Sequence, residues 1–301
     1  MWFNDQQYNK LVWKNESRND TLKQILLNDM RISLRLLYSL KKDKQIFVNK
    51  KFYKMHEIVN IGDIIEVNLP DEANEYDAED MDIKLLYEDA DLMVIEKEPF
   101  IVVHPTKGHQ RNTLANGLIK LFKDKSINSK IRFVNRLDRD TSGILIVAKN
   151  SYCHSILTKN DAMHEMEKKY YAVVSGHLDK ASGVIDLPID KSEDGIRRIV
   201  SDKGQRAVTR YKVIDKLKYA TLLEISLETG RTHQIRVHFS HIGHPLLGDE
   251  LYGGDMSLLN RQALHCFELG FYSPRKSEIT YIKSELPHDM RELVEKLSLA
   301  Y

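Results

Sequence analysis

Apolar positions along this chain follow two rhythms, and each predicts a set of elements. Where they recur every three or four residues they predict helices. One opens at Asn19-Asp20-Thr21 and carries Leu22, Ile25 and Leu26; a second covers residues 33–40; a third follows Thr113, a residue able to cap, with Leu114, Leu118, Leu121 and Phe122 on one face; a fourth covers 152–166. Where apolar residues alternate or run together between turn residues they predict strands at 8–13, 46–50, 61–67, 92–96, 101–105, 144–148, 170–176, 209–214 and 221–228. Residues 183–208 are rich in glycine and charge and read as an exposed hairpin or loop. Past Glu228 the pattern is open. Thr232 as cap, with Ile235, Phe239 and Ile242 before Gly243 and Pro245, predicts a short helix with Arg231 at its entry; Ile235, Val237 and Phe239 also alternate as a strand would.

These elements group into three parts. Two helices and short strands within residues 1–70 make a small α+β module; residues 71–82 hold seven acids and no apolar period, which predicts a flexible, self-repelling linker; residues 83–301 are globular again. In the small module Arg31, Arg35 and Lys42 are spaced to share one helix face, with Leu34, Leu37 and Tyr38 on the other. At 301 residues, one large domain plus a small one is the expected organisation.

Composition narrows the class. The chain is 42% hydrophobic and 30% charged, enough for a core, and no apolar run is long enough to span a bilayer. The N-terminus lacks a basic stretch followed by an apolar one, and Cys153 and Cys266 have no metal or disulfide spacing, so a reducing, cytoplasmic setting is expected. The net charge of +1 conceals an uneven spread. Residues 1–70 carry 12 Lys/Arg against 8 Asp/Glu, whereas 71–90 carry 1 against 9. An acidic segment therefore separates two mildly basic regions, a weak pointer to nucleic acid. No heptad pattern argues for an oligomer, and a monomer is expected.

The candidate chemistry sits in Arg132-Phe-Val-Asn-Arg-Leu-Asp-Arg-Asp-Thr-Ser-Gly143, which packs arginines and two carboxylates into a turn at the lip of an apolar strand. A lone Asp-Arg pair is usually structural. An arginine within ~4–6 Å would nevertheless hold Asp138 ionised at neutral pH, able to act as nucleophile or base. His233, His238, His241 and His244 cluster without the carboxylate or cysteine spacing of a metal site and read as packed or RNA-facing residues. Ser142 lacks the surroundings of a hydrolase nucleophile.

Three long motifs occur in order: Arg136-Leu-Asp138-x-x-Thr141-Ser-Gly143; Lys168-x-Tyr170-x-Ala-x-Val-x-Gly176; and Thr229-Gly-Arg-Thr-His-Gln-Ile-Arg236 running into Gly243-His-Pro-Leu-x-Gly-Asp249. Together they resemble RNA pseudouridine synthases of the RluA/RluD type over roughly residues 81–291. The N-terminal module is similar to the S-four-like RNA-binding domain that many members carry. The resemblance implies an α+β catalytic domain whose mixed, largely antiparallel sheet carries a central active-site cleft. It also implies isomerisation of uridine in ribosomal or transfer RNA without cofactor or metal. By the same resemblance Asp138 is the catalytic aspartate, Arg231 its ion-pair partner with Arg236 as the second candidate, and Tyr170 the ring that packs on the uracil. Arg136 fills the space left by the flipped nucleotide, and Arg31, Arg35, Lys42 and Arg236 contact substrate. The family usually has His where this chain has Asn135, so no proton-transfer role carries over to that position. That departure is the one feature favouring a rival reading, a non-catalytic RNA-binding or ribosome-assembly factor that keeps the fold.

Overall fold

In this computed structural model residues 1–3, 7–106, 108, 110–159, 166–276 and 278–298 are described, and every structural count below refers to them. Strand Ser142–Ala148 is buried at all seven positions because it lies inside a ten-stranded sheet. It pairs antiparallel with Leu92–Lys97 and, at its first two residues, parallel with Leu264–Tyr272. The remaining pairings are antiparallel, running outward through Glu167–Ser175, Ala220–Leu227 and Val208–Lys216 to Ser182–Asp186 on one side and to Lys84–Glu88 on the other. The sheet is thus mixed and largely antiparallel, and the fold is α+β.

Strand alternation splits the core in two. Leu145 and Val147 join Met93 and Ile95 under helix Leu114–Asp124, which places Leu114, Leu118 and Phe122 on them. Ile144 and Ile146 face the other way, in a cluster with Tyr170, Ala172, Ile225 and, from helix Gln234–His241, Ile235 and Phe239. The crossing of Ser142–Ala148 against Leu264–Tyr272 is so close that a Cβ on Gly143, at φ +119°, would lie 2.3 Å from the Cys266 carbonyl oxygen. Only glycine fits there.

The first 70 residues build a four-stranded sheet in the order Lys10–Lys14, Ile64–Asn68, Ile46–Val48, Lys51–Phe52. Thr21 caps the turn Leu22–Gln24, which widens into a π-helical turn over Ile25–Asp29, and Ser33 caps Leu34–Lys42. The helix faces differ from expectation: Leu36, Leu37 and Leu40 are buried, whereas Leu34 and Tyr38 are 56% and 71% exposed. The stripe that meets Ile46, Val48 and Ile65 is set by the sheet, and Leu34 and Tyr38 fall outside it. This core continues into Tyr152 and Ile156 of helix Ser151–Leu157, and Arg275 pins the two parts by pairing with buried Asp91 while donating to the Lys10 carbonyl.

Four further expectations are corrected. Residues 71–82 lie along the surface: Glu72 pairs with Arg132 at 2.6 Å, the Asn74 amide bonds the Ser129 carbonyl and the Ile131 N–H, and Glu79 accepts from the Asn112 N–H. Glu72, Glu75 and Glu79, acids that would repel one another in water, each meet a donor here. Residues 101–105 form only an isolated bridge, Val102 to Thr113, because the chain turns into the Thr113 cap. The helix expected over 152–166 is Ser151–Leu157, and residues 160–165 lie outside the described residues. Within 183–208 the expected hairpin is present, Ile189–Lys191 with Arg198–Val200, and what was missed is Ser182–Asp186, an edge strand of the large sheet.

Candidate active site

The turn that carries Asp138 is clamped from several sides. After strand Arg132–Phe133, buried Asn135 uses its side chain as a strand would use its backbone: Nδ2 donates to the Ile144 carbonyl at 3.0 Å and Oδ1 accepts from the Ile146 N–H at 2.8 Å. The Thr141 N–H closes the turn on the Asp138 carbonyl. Lys97, fully buried, donates from Nζ to the carbonyls of Glu98, Arg139 and Thr141 at 2.8, 2.6 and 2.9 Å. Its burial pushes the amine down to about 7. Arg261 Nη1 reaches the Asp140 carbonyl at 3.3 Å, and Gln262 Nε2 donates to Thr141 Oγ1.

The ion pair expected from Arg231 is made by Arg236. Arg236 Nη1 donates to Asp138 Oδ2 at 3.0 Å, while Nε and Nη2 take both oxygens of Asp249 at 2.6 and 2.8 Å. The reason is where the helix begins. Its first residue is Gln234 and its cap is His233, in the left-handed region at φ 56°, one residue later than the Thr232 cap expected from the sequence pattern. Position 236 therefore lies in the first turn and points into the body of the protein, while Arg231 stays in the entry loop, exposed, its Nε on the Arg206 carbonyl at 3.1 Å. Burial opposes the Arg236 charge, but Asp249 and then Asp138 outweigh it and raise its pKa further above the usual range.

The pocket so formed is lined by Arg136, Asp138, Tyr170, Arg231, His233 and Arg236, among others. Sequence reasoning named five of these six. Tyr170 is buried beside the Cys266 thiol; burial first, then Cys266 and Asp138, push its phenol well above 10, so it stays neutral. Tyr171 faces the opposite side of the strand, stacked on Phe267 at 3.8 Å. Arg136 is exposed at the rim. Arg35 and Lys42 are exposed on the helix of the N-terminal module and are not among the residues lining this pocket, while Arg31 precedes that helix at φ 55° with its guanidinium 5.4 Å from the Tyr272 ring. His238 is buried between Thr209 Oγ1 and the Leu187 carbonyl, and His244 bonds the Ser175 carbonyl. No group of three or more His, Cys, Asp or Glu among the described residues is arranged to hold a metal ion.

Lys97, His233, Asp249 and Tyr252 were missed as site residues. Asp249 closes a quoted motif, and Gly248 before it has φ +72°, with a Cβ there 1.9 Å from the Arg261 carbonyl oxygen. That glycine was the available signal for a fixed turn. Chemically, Asp138 has one anchored oxygen, Oδ2, whereas no hydrogen bond reaches Oδ1 among the described residues. A carboxylate steadied on one side and open on the other, sharing a pocket with an aromatic ring, suits attack on carbon or proton removal.

A family model described as RNA pseudouridylate synthase matches residues 91–241. The uncharacterized RNA pseudouridine synthase YlyB of Bacillus subtilis (strain 168) is 43% identical over 262 residues, covering 85% of this chain and 86% of that one. Ribosomal large subunit pseudouridine synthase D of Zymomonas mobilis is 39% identical, covering 78% and 79%. In fold, the chain is similar to human RNA pseudouridylate synthase domain containing 4, with TM-score 0.59 at 23% identity over 71% of this chain and 92% of that one. The chain belongs to the RNA pseudouridylate synthase family and is an isomerase acting on RNA. Within that family it is of the RluA/RluD type.

Proposed function

We propose that this enzyme converts specific uridines of ribosomal or transfer RNA to pseudouridine with Asp138 as the catalytic aspartate. The observation that carries the reading is the Asp138–Arg236 pair opening onto Tyr170 in one pocket. Asp138 Oδ1 is the reacting oxygen, Arg236 holds and aims the carboxylate through Oδ2, and the Tyr170 ring takes the face of the extruded uracil. Arg136 occupies the place the nucleotide leaves, and Arg231, exposed at the mouth, meets phosphate. Residues 1–70 act as an RNA-gripping module with Arg35 and Lys42 on its open helix face and Arg31 at its junction with the body. Relatives named as ribosomal large subunit pseudouridine synthase D support a ribosomal target. We place the enzyme in the cytoplasm as a monomer; among the described residues no helix is long and apolar enough to cross a membrane. The binding-only reading loses its motive, since the Asn135 amide is committed to Ile144 and Ile146 and does not line the pocket.

The test is tritium release from RNA labelled at uridine C5. The wild-type protein releases tritium from total ribosomal or transfer RNA, and Asp138→Asn, still folded, releases none. Turnover surviving in Asp138→Asn removes the assignment.

A further inference from the structure

We propose that His233 is a positioning residue for Asp138: its ring, set by Tyr252, presents Nε2–H to the carboxylate oxygen that Arg236 already holds, which leaves Oδ1 as the oxygen that reacts. The proposal deepens the function assigned above and rests on Asp138 being the reacting carboxylate.

Four observations converge on it. His233 Nε2 lies 3.7 Å from Asp138 Oδ2, on the oxygen that Arg236 Nη1 contacts at 3.0 Å. His233 Nδ1 lies 2.9 Å from the Tyr252 hydroxyl, and that same hydroxyl accepts the Arg198 N–H at 2.9 Å. A phenol has one proton to give. With the Arg198 N–H occupying an acceptor site, the Tyr252 proton is directed to Nδ1, and the neutral imidazole then carries its own hydrogen on Nε2, facing the carboxylate. Third, the two rings meet edge to face, with centroids 5.6 Å apart at 83°, and the Arg236 guanidinium carbon sits 4.9 Å from the Tyr252 centroid. One tyrosine therefore buttresses both donors to Asp138. Fourth, His233 is the left-handed cap of its helix at φ 56° with no capping hydrogen bond from its side chain. A non-glycine residue in that conformation costs on the order of 1–3 kcal/mol and persists where surrounding structure imposes it. Here it brings the ring to the pocket wall.

The groups facing the ring are Asp138 from the turn, Arg236 from its own helix, Asp249 and Tyr252 from the segment after that helix, and Arg198 from the 189–200 hairpin. Burial is the leading influence and holds the imidazole below its ordinary value, so it is neutral at pH 7. A neutral donor can orient the carboxylate without cancelling its charge. The 3.7 Å gap is longer than a hydrogen bond. Bound RNA is expected to close it, and the geometry then becomes two donors on Oδ2 and none on Oδ1.

The experiment measures kcat and KM for tritium release from C5-labelled RNA between pH 5 and 9, using full-length wild type, His233→Asn, Tyr252→Phe and the double variant. Asparagine is chosen because it tolerates the left-handed conformation. Each single change is expected to lower kcat about tenfold, the loss of one oriented hydrogen bond, with KM little changed. The double variant should be no worse than the worse single, because the two residues act in series. The acid limb of the wild-type kcat profile, where an imidazolium forms beside Asp138 and blunts it, should move to lower pH in His233→Asn. Wild-type kcat and an unmoved acid limb in His233→Asn overturn the proposal, as does a change in KM alone. Should His233→Asn not fold, Tyr252→Phe decides, since it deletes one hydroxyl and keeps the ring: wild-type kcat in that variant overturns the proposal. Inactivity of wild type itself on total RNA removes the underlying function, an outcome distinct from an active wild type that His233→Asn matches.

Discussion

Arg236 bridges two carboxylates, Asp138 at the pocket and Asp249 behind it, with three of its nitrogens within 3.0 Å of their oxygens. The Asp249 side chain is 1% exposed and that of Asp138 26%, so the arginine is fixed on its buried side and steers the accessible one. The contact to Asp138 is thereby decided before substrate arrives.

Arg236→Met should therefore act on both stability and turnover. It leaves Asp249 buried and unpaired, a loss of about 3–5 kcal/mol, read by urea unfolding. Arg231→Met should stay within about 0.5 kcal/mol of wild type, because its side chain is exposed. Its effect should be on KM for RNA, with a weaker salt dependence. Equal stability loss in the two variants would contradict the assignment of the pair.

Lys97 predicts a pH dependence of stability. Its pKa is about 7 in the folded state, lowered by burial, against an ordinary 10.5. Between those values the unfolded chain holds a proton that the folded chain lacks, so unfolding takes one up and this contribution to stability rises with pH from about 7 to 10.5. Below 7 the amine is charged in both states and the burial penalty is present in full. Urea unfolding at pH 7 and 9 should show wild type gaining on Lys97→Met as pH rises; parallel behaviour of the two would refute the linkage.

The three carbonyls that Lys97 holds need three N–H donors, which only the ammonium form, the folded form below about pH 7, has. Lys97→Met should consequently lower kcat more than it changes KM, since it loosens the turn beneath Asp138 and touches no RNA. Loss confined to KM would show that the clamp does not set the carboxylate.

Asn135→Ala removes a side chain that joins the start of the turn to strand Ser142–Ala148 through two backbone bonds, and should cost about 1–3 kcal/mol for each buried partner left unsatisfied. Asn135→Asp keeps an acceptor but loses the donor and buries a carboxyl whose folded pKa is raised. Its stability, relative to Asn135→Ala, should be best at low pH and fall as pH rises above about 4. Thermal unfolding of both variants at pH 4 and 7 checks the crossing.

Gly143→Ala places a methyl 2.3 Å from the Cys266 carbonyl oxygen at a φ that L-residues avoid, and should destabilise by at least about 2 kcal/mol. Because the strand starts next to the Asp138 turn, turnover should fall with it. A variant as stable and active as wild type would mean that the parallel crossing can open without consequence.

By itself the sequence determined several strands of the core, though not the central Leu264–Tyr272, the helix starts near Thr21 and Ser33, the cap at Thr113, and the turn holding Asp138. These are local quantities: period, capping side chains and turn residues act over a few neighbouring positions. Tertiary structure alone decided that Arg236 and not Arg231 meets Asp138, that Lys97 and Asn135 are spent holding the turn, and that residues 71–82 lie against Arg132 and the Ser129–Ile131 backbone. Each depends on which group lies opposite across a fold that brings positions 97, 138, 236 and 249 together. Arg231 lies in the loop before the helix that starts at Gln234 and Arg236 in its first turn, and no periodicity along the chain encodes which of the two meets Asp138.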